Sequence, residues 1–301
     1  VSKNKIQAIP ESIGNLKRLR IFKCDWNPIK IFPESLRNLR SLEILSLNKS
    51  ELTEFPNIIN NLYNLKELYL NQNDITTIPI NSNLNKLKVL DCSYNKLNSF
   101  PKSVLNLTNI EVFMMGGNTI RSIPKKIQHL VKLKKLSLWG NEVRKIPRSI
   151  TNLKELRYLD LSSIKLKKVP NSLGDLKNLR VLKLISNEIE KLPESFGKLS
   201  NLEQLKLGAN RIKELPESFG NLCNLKYLDA HGNNISTLPE SFAQLLSLEE
   251  INLIRNHFPK FPEILFQMPK IKNISMDREN IENWEALIEK ARKKKITLSF
   301  Y

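Results

Sequence analysis

The 301-residue sequence predicts an α/β solenoid, a stack of similar units that each contain a short strand, a turn and a helical or 3₁₀ return segment. Three observations carry this. The pattern Leu-x-x-Leu-x-Leu-x-x-Asn at Leu202–Asn210 starts again at Leu225 and started earlier at Leu179, a period of 23 residues. Within it, Leu205 and Leu207 alternate with polar neighbours, the period-two signature of a half-buried strand. A proline then follows each turn at a fixed offset, Pro216 in this unit.

Each element of the unit has a physical reason. Counted from the first leucine, positions 4 and 6 (Leu205, Leu207) point into the core, while 3, 5 and 7 point out of the strand. Asn210 at position 9 carries an amide with two donors and an acceptor, suited to the backbone groups of the turn. Ile212 and Leu215 at positions 11 and 14 face inward again. Pro216 at position 15 fixes its own φ and ends regular pairing. Phe219 and Leu222, three residues apart, suit one short helical or 3₁₀ turn leading back to the next strand. Each buried side chain is worth about 1.5–3 kcal/mol against about 1–2 kcal/mol per residue of backbone entropy, so only the stacked array is stable.

Units start at Leu19, Leu42, Leu65, Leu87, Ile110, Leu133, Leu156, Leu179, Leu202, Leu225, Leu248 and Ile271. Residues 1–18 read as a partial first repeat, with Val1 at position 6 and Asn4 at position 9. The chain is therefore expected to begin mid-repeat, with an open strand edge that frays or supports self-association. Residues 19–282 form the tandem array, and the whole of 1–301 is expected to be one domain. The step from Leu65 to Leu87 is 22 residues, which places a deletion around Ile80–Asn83 in the return segment. Position 9 is Asn in most units but Ser50 in one and Ile164 in another; Ile164 is expected to leave a gap in the column of amides. Residues 283–301 abandon the pattern and predict a C-terminal cap. There Asn283 is the expected N-cap, Trp284, Leu287, Ile288 and Ala291 share a helical face, and Ile296–Phe300 alternates as a strand.

This motif resembles the leucine-rich-repeat family over nearly the whole chain. The 23-residue form with Leu215-Pro216-Glu217-Ser218-Phe219-Gly220-Asn221-Leu222 resembles both the set expanded in pathogenic leptospires and the Ras-associated intracellular scaffolds of eukaryotes. The Lys-, Asn- and Ile-rich composition leans towards the bacterial group. The resemblance implies a right-handed horseshoe with a parallel sheet on its concave face, short 3₁₀, helical or irregular convex segments, and a role in binding. It also implies a secreted or cell-surface bacterial protein facing a host, with a cytoplasmic location as the alternative.

The formal net charge of +18 raises a second reading. Arg121, Lys125, Lys126, Arg144, Lys145, Arg148, Lys165, Lys167 and Lys168 follow the Asn turns of the middle repeats, along one edge and the convex side. A solvated face is the plainer account, because no aromatic residues interleave to stack on bases. The alternative is a binder of acidic polysaccharide, anionic surface or nucleic acid through this basic edge. No apolar run reaches membrane-spanning length, so no membrane insertion is expected. Cys24 and Cys92 occupy the inward position 6 three repeats apart, about 14 Å, beyond disulfide reach of about 7 Å. Cys223 stands alone on a return segment. No phosphate loop, nucleophile elbow or spaced carboxylate pair is present, so neither an enzyme nor a cofactor or metal is expected. Asp229 and His231, with Asn252 beside them, could make a weak ion site, but a surface hydrogen bond explains them more simply.

The outward strand positions carry the functional expectation: a protein partner on the concave face. Its candidate contacts are Tyr69, Met114, Trp139 and Tyr158, with Asp160, Lys183 and Lys206 at the polar margin. Met114, Trp139 and Tyr158 come from consecutive repeats, which predicts a lateral spread of about 10 Å. The competing account is that these side chains only pack on one another to cover the sheet.

Overall fold

Strands form where the Leu-x-Leu alternation places them. The computed structural model describes residues 1–279 and 281–300. The chain divides into an N-terminal unit, Val1–Val143, and a C-terminal unit, Arg144–Tyr301. In the first, β1 (Ile21–Lys23), β2 (Ile44–Ser46), β3 (Glu67–Tyr69), β4 (Val89–Asp91), β5 (Val112–Met114) and β6 (Lys135–Ser137) pair in parallel, each with the next. The second unit pairs β7 (Tyr158–Asp160), β8 (Val181–Lys183), β9 (Gln204–Lys206), β10 (Tyr227–Asp229), β11 (Glu250–Asn252), β12 (Asn273–Met276) and β13 (Thr297–Phe300) in the same way. Register joins like position to like position, as in Tyr158↔Val181↔Gln204↔Tyr227. Every unit's side chains therefore stack in columns.

The inward columns are dry. Leu68, Leu90, Phe113 and Leu136 in the first unit, and Leu182, Leu205, Leu228 and Ile251 in the second, are all fully buried. Return segments are five-residue 3₁₀ turns that begin directly after the column proline, such as Glu217–Asn221 after Pro216. The carbonyl of Pro216 accepts the Phe219 N–H at 3.0 Å, so the proline starts a turn whose first N–H it does not need to supply. Behind these turns Phe196, Phe219 and Phe242 stack with centroids 6.2 and 6.3 Å apart. In the 22-residue repeat the turn shrinks to Ser82–Leu84, and the Asn81 side chain caps it by accepting the Asn83 N–H at 2.9 Å.

The asparagine column does what its chemistry suggests. Asn210 Nδ2 donates to the carbonyls of Leu207 (2.8 Å) in its own repeat and Leu184 (2.9 Å) in the preceding one. Its Oδ1 accepts the Ile189 N–H at 3.1 Å. Asn73, Asn118, Asn141, Asn187, Asn233 and Asn256 are likewise buried. Position 8, just before the amide, is left-handed in repeat after repeat: Trp26, Lys49, Gln72, Tyr94, Gly117, Gly140, Ser163, Ser186, Ala209, Gly232 and Arg255 all have φ between 51° and 66°. The turn is thus bent against the preference of most of its residues and held by the amide it encloses.

Ile164 corrects the expectation of a gap. It is fully buried, and Asn187 Oδ1 of the next repeat accepts both the Ile164 N–H (3.1 Å) and the Leu166 N–H (2.9 Å). Asn187 Nδ2 also donates to the Leu161 carbonyl at 2.9 Å. Ser50 is compensated in the same way by Asn73, at 2.9 and 3.0 Å. In both repeats position 10 also turns left-handed, Glu51 at 56° and Lys165 at 58°. The following amide serves two repeats, and the isoleucine fills core.

The C-terminal helix α1 (Trp284–Lys293) and β13 form as expected, with Leu287 and Ala291 buried and Trp284 and Ile288 half-buried. Asn283 is a second correction. It precedes the helix with φ 54° and makes no side-chain cap hydrogen bond; only its carbonyl takes part, accepting Leu287 N–H at 3.2 Å. Asn280, and Tyr301 at the end of the expected cap, lie outside the described residues.

Two measurements check this account. In urea unfolding, Asn210→Leu and Ile164→Asn should both destabilise by about 1–3 kcal/mol, the first by orphaning turn groups and the second by burying an amide in a turn already satisfied. A neutral Ile164→Asn would restore the gap. Cys24 and Cys92 are buried and Cys223 is exposed, all as free thiols, and burial pushes the Cys24 and Cys92 thiols up. Alkylation of the native protein should therefore modify Cys223 well before the other two, which should react only on unfolding.

Candidate partner-binding face

Outward positions 3, 5 and 7 are released from core packing, so their chemistry is free to serve recognition. In the N-terminal unit Tyr69 projects from β3 and its hydroxyl donates to Glu67 Oε2 at 2.8 Å. Burial, reinforced by that carboxylate, pushes the Tyr69 phenol up to about 12. Two strands on, Met114 is half-buried on β5, in register with Asp91 of β4 and Ser137 of β6. Trp139 follows β6 and lies back across the preceding repeat. A Cβ built on Gly116 would fall 2.1 Å from the indole Nε1, and one on Gly117 would fall 3.3 Å from the far edge of the same ring. The absence of a side chain at Gly116 is what gives the indole its seat.

Tyr94 completes this arrangement and was not among the sequence candidates. Its ring meets Trp139 edge-on at 4.9 Å with an interplanar angle of 69°, and it remains 52% exposed. Tyr94 sits at the left-handed position 8 (φ 52°), outside the strand alternation, so strand periodicity does not mark it as outward. The legible signal was Gly116-Gly117 one repeat ahead of a tryptophan.

Met114 and Trp139 belong to the N-terminal unit and Tyr158 to the C-terminal one. In the latter, Tyr158 and Asp160 stand two apart on β7, and the Tyr158 hydroxyl donates to Asp160 Oδ2 at 3.2 Å. Lys183 on β8 approaches the same oxygen at 3.9 Å and sits 5.2 Å above the Tyr158 ring. Burial opposes its charge, yet the Tyr158 hydroxyl and Asp160 carboxylate leave the Lys183 ammonium above its ordinary value. Lys206 on β9 is the register partner of Lys183 but leans the other way, 5.2 Å from the Tyr227 ring of β10. Among the described residues Lys206 has no ion-pair partner. Tyr158, Asp160 and Lys183 thus meet directly, while Lys206 stands on the next strand beside Tyr227.

Further along, His231 Nδ1 lies 2.7 Å from Asp229 Oδ1, and its ring occupies the space above Gly208, where a Cβ would fall 2.1 Å away. Asn252 turns its oxygen to the Ile254 N–H at 3.1 Å. Asp229 and His231 are therefore a hydrogen-bonded pair, and Asn252 serves its own strand. Among the described residues no three His, Cys, Asp or Glu side chains converge on a metal position. No described helix is long and apolar enough to cross a membrane.

The seat under Trp139 can be tested in a protein carrying Trp26→Phe and Trp284→Phe, so that emission reports one indole. Gly116→Ala should displace the ring and shift its emission to the red, with the fold kept. An unchanged spectrum would mean that the indole does not rest on Gly116.

Comparison with known proteins agrees with the geometry. A model of the leucine-rich repeat region matches residues 147–210 and 171–295, and one of two leucine-rich repeats matches residues 63–106. No curated protein sequence matches the chain. Among solved structures, a leucine-rich-repeat protein of Leptospira interrogans is 25% identical, with 98% of this chain and 93% of that one covered and a TM-score of 0.70. An internalin of Listeria monocytogenes shares the fold at 20% identity, with 97% and 88% covered and a TM-score of 0.76. The repeat ectodomain of the Arabidopsis receptor kinase HAESA, solved with a peptide hormone ligand, is 31% identical with a TM-score of 0.67; the match covers 82% of this chain but only 44% of that one. With repeat models matching well over half of its residues, and the same fold in a bacterial protein along nearly its full length, this chain belongs to the leucine-rich-repeat family.

Proposed function

We propose that the protein is a non-enzymatic recognition scaffold whose concave, strand-bearing face binds a protein partner. The observation that carries this is the Tyr94–Trp139 pair: two large rings held at the surface on a glycine seat, burying no core in return. Trp and Tyr dominate interface energies because they bring large area with few rotors to freeze, and Met114 adds an adaptable apolar contact. The other candidate contacts are Tyr69 in the N-terminal unit and Tyr158, Asp160, Lys183 and Lys206 in the C-terminal unit. Lys206 has no ion-pair partner among the described residues, so an acidic group of the partner would give it one. Proteins of this fold bind peptide ligands, as the HAESA ectodomain does, and that supports the reading. The likeness to the Leptospira protein along 98% of the chain supports a bacterial origin, and with it a surface or secreted protein that meets a host.

The experiment is photo-crosslinking from position 94 or 206 to recover a partner, followed by affinity measurement with purified components. Trp139→Ala should weaken binding by at least about 2 kcal/mol, roughly 30-fold, and Lys206→Glu should slow association with an acidic partner. Equal affinity of both variants and the parent protein would remove the concave face as the site.

A further inference from the structure

Of the nine cations along the basic edge, only Arg121 and Lys167 have an ion-pair partner among the described residues. Several cations in the columns that follow the Asn turns have carboxylates within reach: Lys96 with Asp74 at 2.9 Å, Arg121 with Glu142 at 3.1 Å, and Lys191 with Glu214 at 3.8 Å. Around one groove of the C-terminal unit the cations crowd together with a single carboxylate among the described residues. Arg144, Lys145, Lys165, Lys167 and Lys168, from two successive repeats, line this groove of about 690 Å³, whose only lining carboxylate among the described residues is Glu188. Lys167 reaches Glu188 at 3.9 Å; Arg144, Lys145, Lys165 and Lys168 have no ion-pair partner among the described residues. All five cations are exposed. The groove keeps an apolar floor, Pro170 half-exposed and Ile146 with only 7% of its surface open.

The arrangement follows from the repeat. Arg144 and Lys167 share position 12 in adjacent repeats, and Lys145 and Lys168 share position 13, so the two pairs repeat along the stacking direction. Lys165 occupies position 10, the left-handed residue that exists because Ile164 replaced an asparagine (φ 58°). That exceptional turn is therefore part of the groove wall. Concentrated like charge destabilises the free protein, and it is favourable when a multivalent anion releases the counterions it gathers.

We propose that this groove binds an acidic oligosaccharide, a chain of pyranose rings bearing sulfate or carboxylate groups. The C–H faces of the rings lie on Pro170 and Ile146, the Arg144 guanidinium grips an anionic group with two parallel N–H donors, and the lysines hold its neighbours as point charges. A nucleic acid fits less well, because among the described residues no aromatic side chain lines the groove to stack on bases. A lipid surface fits less well because the cations surround a concavity.

The test measures binding of the full chain to a fluorescent heparin octasaccharide and to an oligogalacturonate of equal length, at about 150 mM salt. Two double variants carry the same change of net charge: Lys167→Glu with Lys168→Glu in the groove, and Lys198→Glu with Lys213→Glu on exposed surface outside it. The groove variant should bind at least about tenfold more weakly, the other should stay within about twofold, and added salt should weaken both oligosaccharides. Binding of only the sulfated or only the carboxylated probe supports the site and assigns the anionic group. Circular dichroism of all variants should match the parent, and Arg144→Ala with Lys145→Ala gives the same reading if charge reversal disturbs folding. The proposal is overturned by equal loss in the two double variants, by no binding of either oligosaccharide, or by tighter binding of oligothymidylate or phosphatidylserine vesicles.

Discussion

The structure depends on one interaction, the buried side-chain amide that closes each turn. A strand that leaves its sheet after three residues strands its backbone groups in a place water cannot reach. An asparagine at that point returns hydrogen bonds to its own strand end and to the repeat before it, as Asn210 does with Leu207 and Leu184. Because every such amide spans two repeats, a turn is never stable by itself. The leucine columns supply most of the free energy, but the amides decide that the stacked turn, and not a disordered one, is the state in which those leucines meet.

Surface charge is managed by the same columnar logic. Position 2 places Glu43 between Arg20 and Lys66 (both 3.1 Å), Glu111 between Lys88 (3.2 Å) and Lys134 (2.8 Å), and Glu203 between Arg180 (3.3 Å) and Lys226 (3.1 Å). Hydrogen bonds from Arg20 and Lys66 hold the Glu43 carboxyl below its usual range, and Lys134 and Lys88 do the same for Glu111. Such exposed pairs add little stability. Their significance is local: Glu43, Glu111 and Glu203 each serve two cations, whereas the groove gathers five cations around the one lining carboxylate, Glu188, among the described residues.

Much of the fold was legible in the sequence because periodicity reports directly on burial. Leu205, Leu207, Asn210 and Pro216 each announce a strand, a turn or a stop by residue type alone. Ile164 was not legible, because its compensation is made by Asn187 in the next repeat, and a column read position by position does not show one amide serving two turns. Asn283 misled for a related reason: the residue type suits a cap, but its left-handed backbone turns the side chain away from the role. On the candidate face, Trp139, Tyr158, Asp160 and Lys183 were legible as outward residues. Tyr94 was hidden, because a left-handed residue after the strand falls outside the alternation that identifies a face.

The glycine seats couple neighbouring repeats. Gly116 lies under Trp139, and Gly208 lies under His231, both pairs at position 7 of their repeats. Any side chain at Gly116 collides with the indole, whereas a glycine without a ring above it only loosens the strand. Residues 116 and 139 are therefore coupled: the indole keeps this place only while residue 116 lacks a Cβ. The choice of side chain at one outward position is thus constrained by the residue at the same position one repeat earlier, so the outward face of this sheet cannot be varied one repeat at a time.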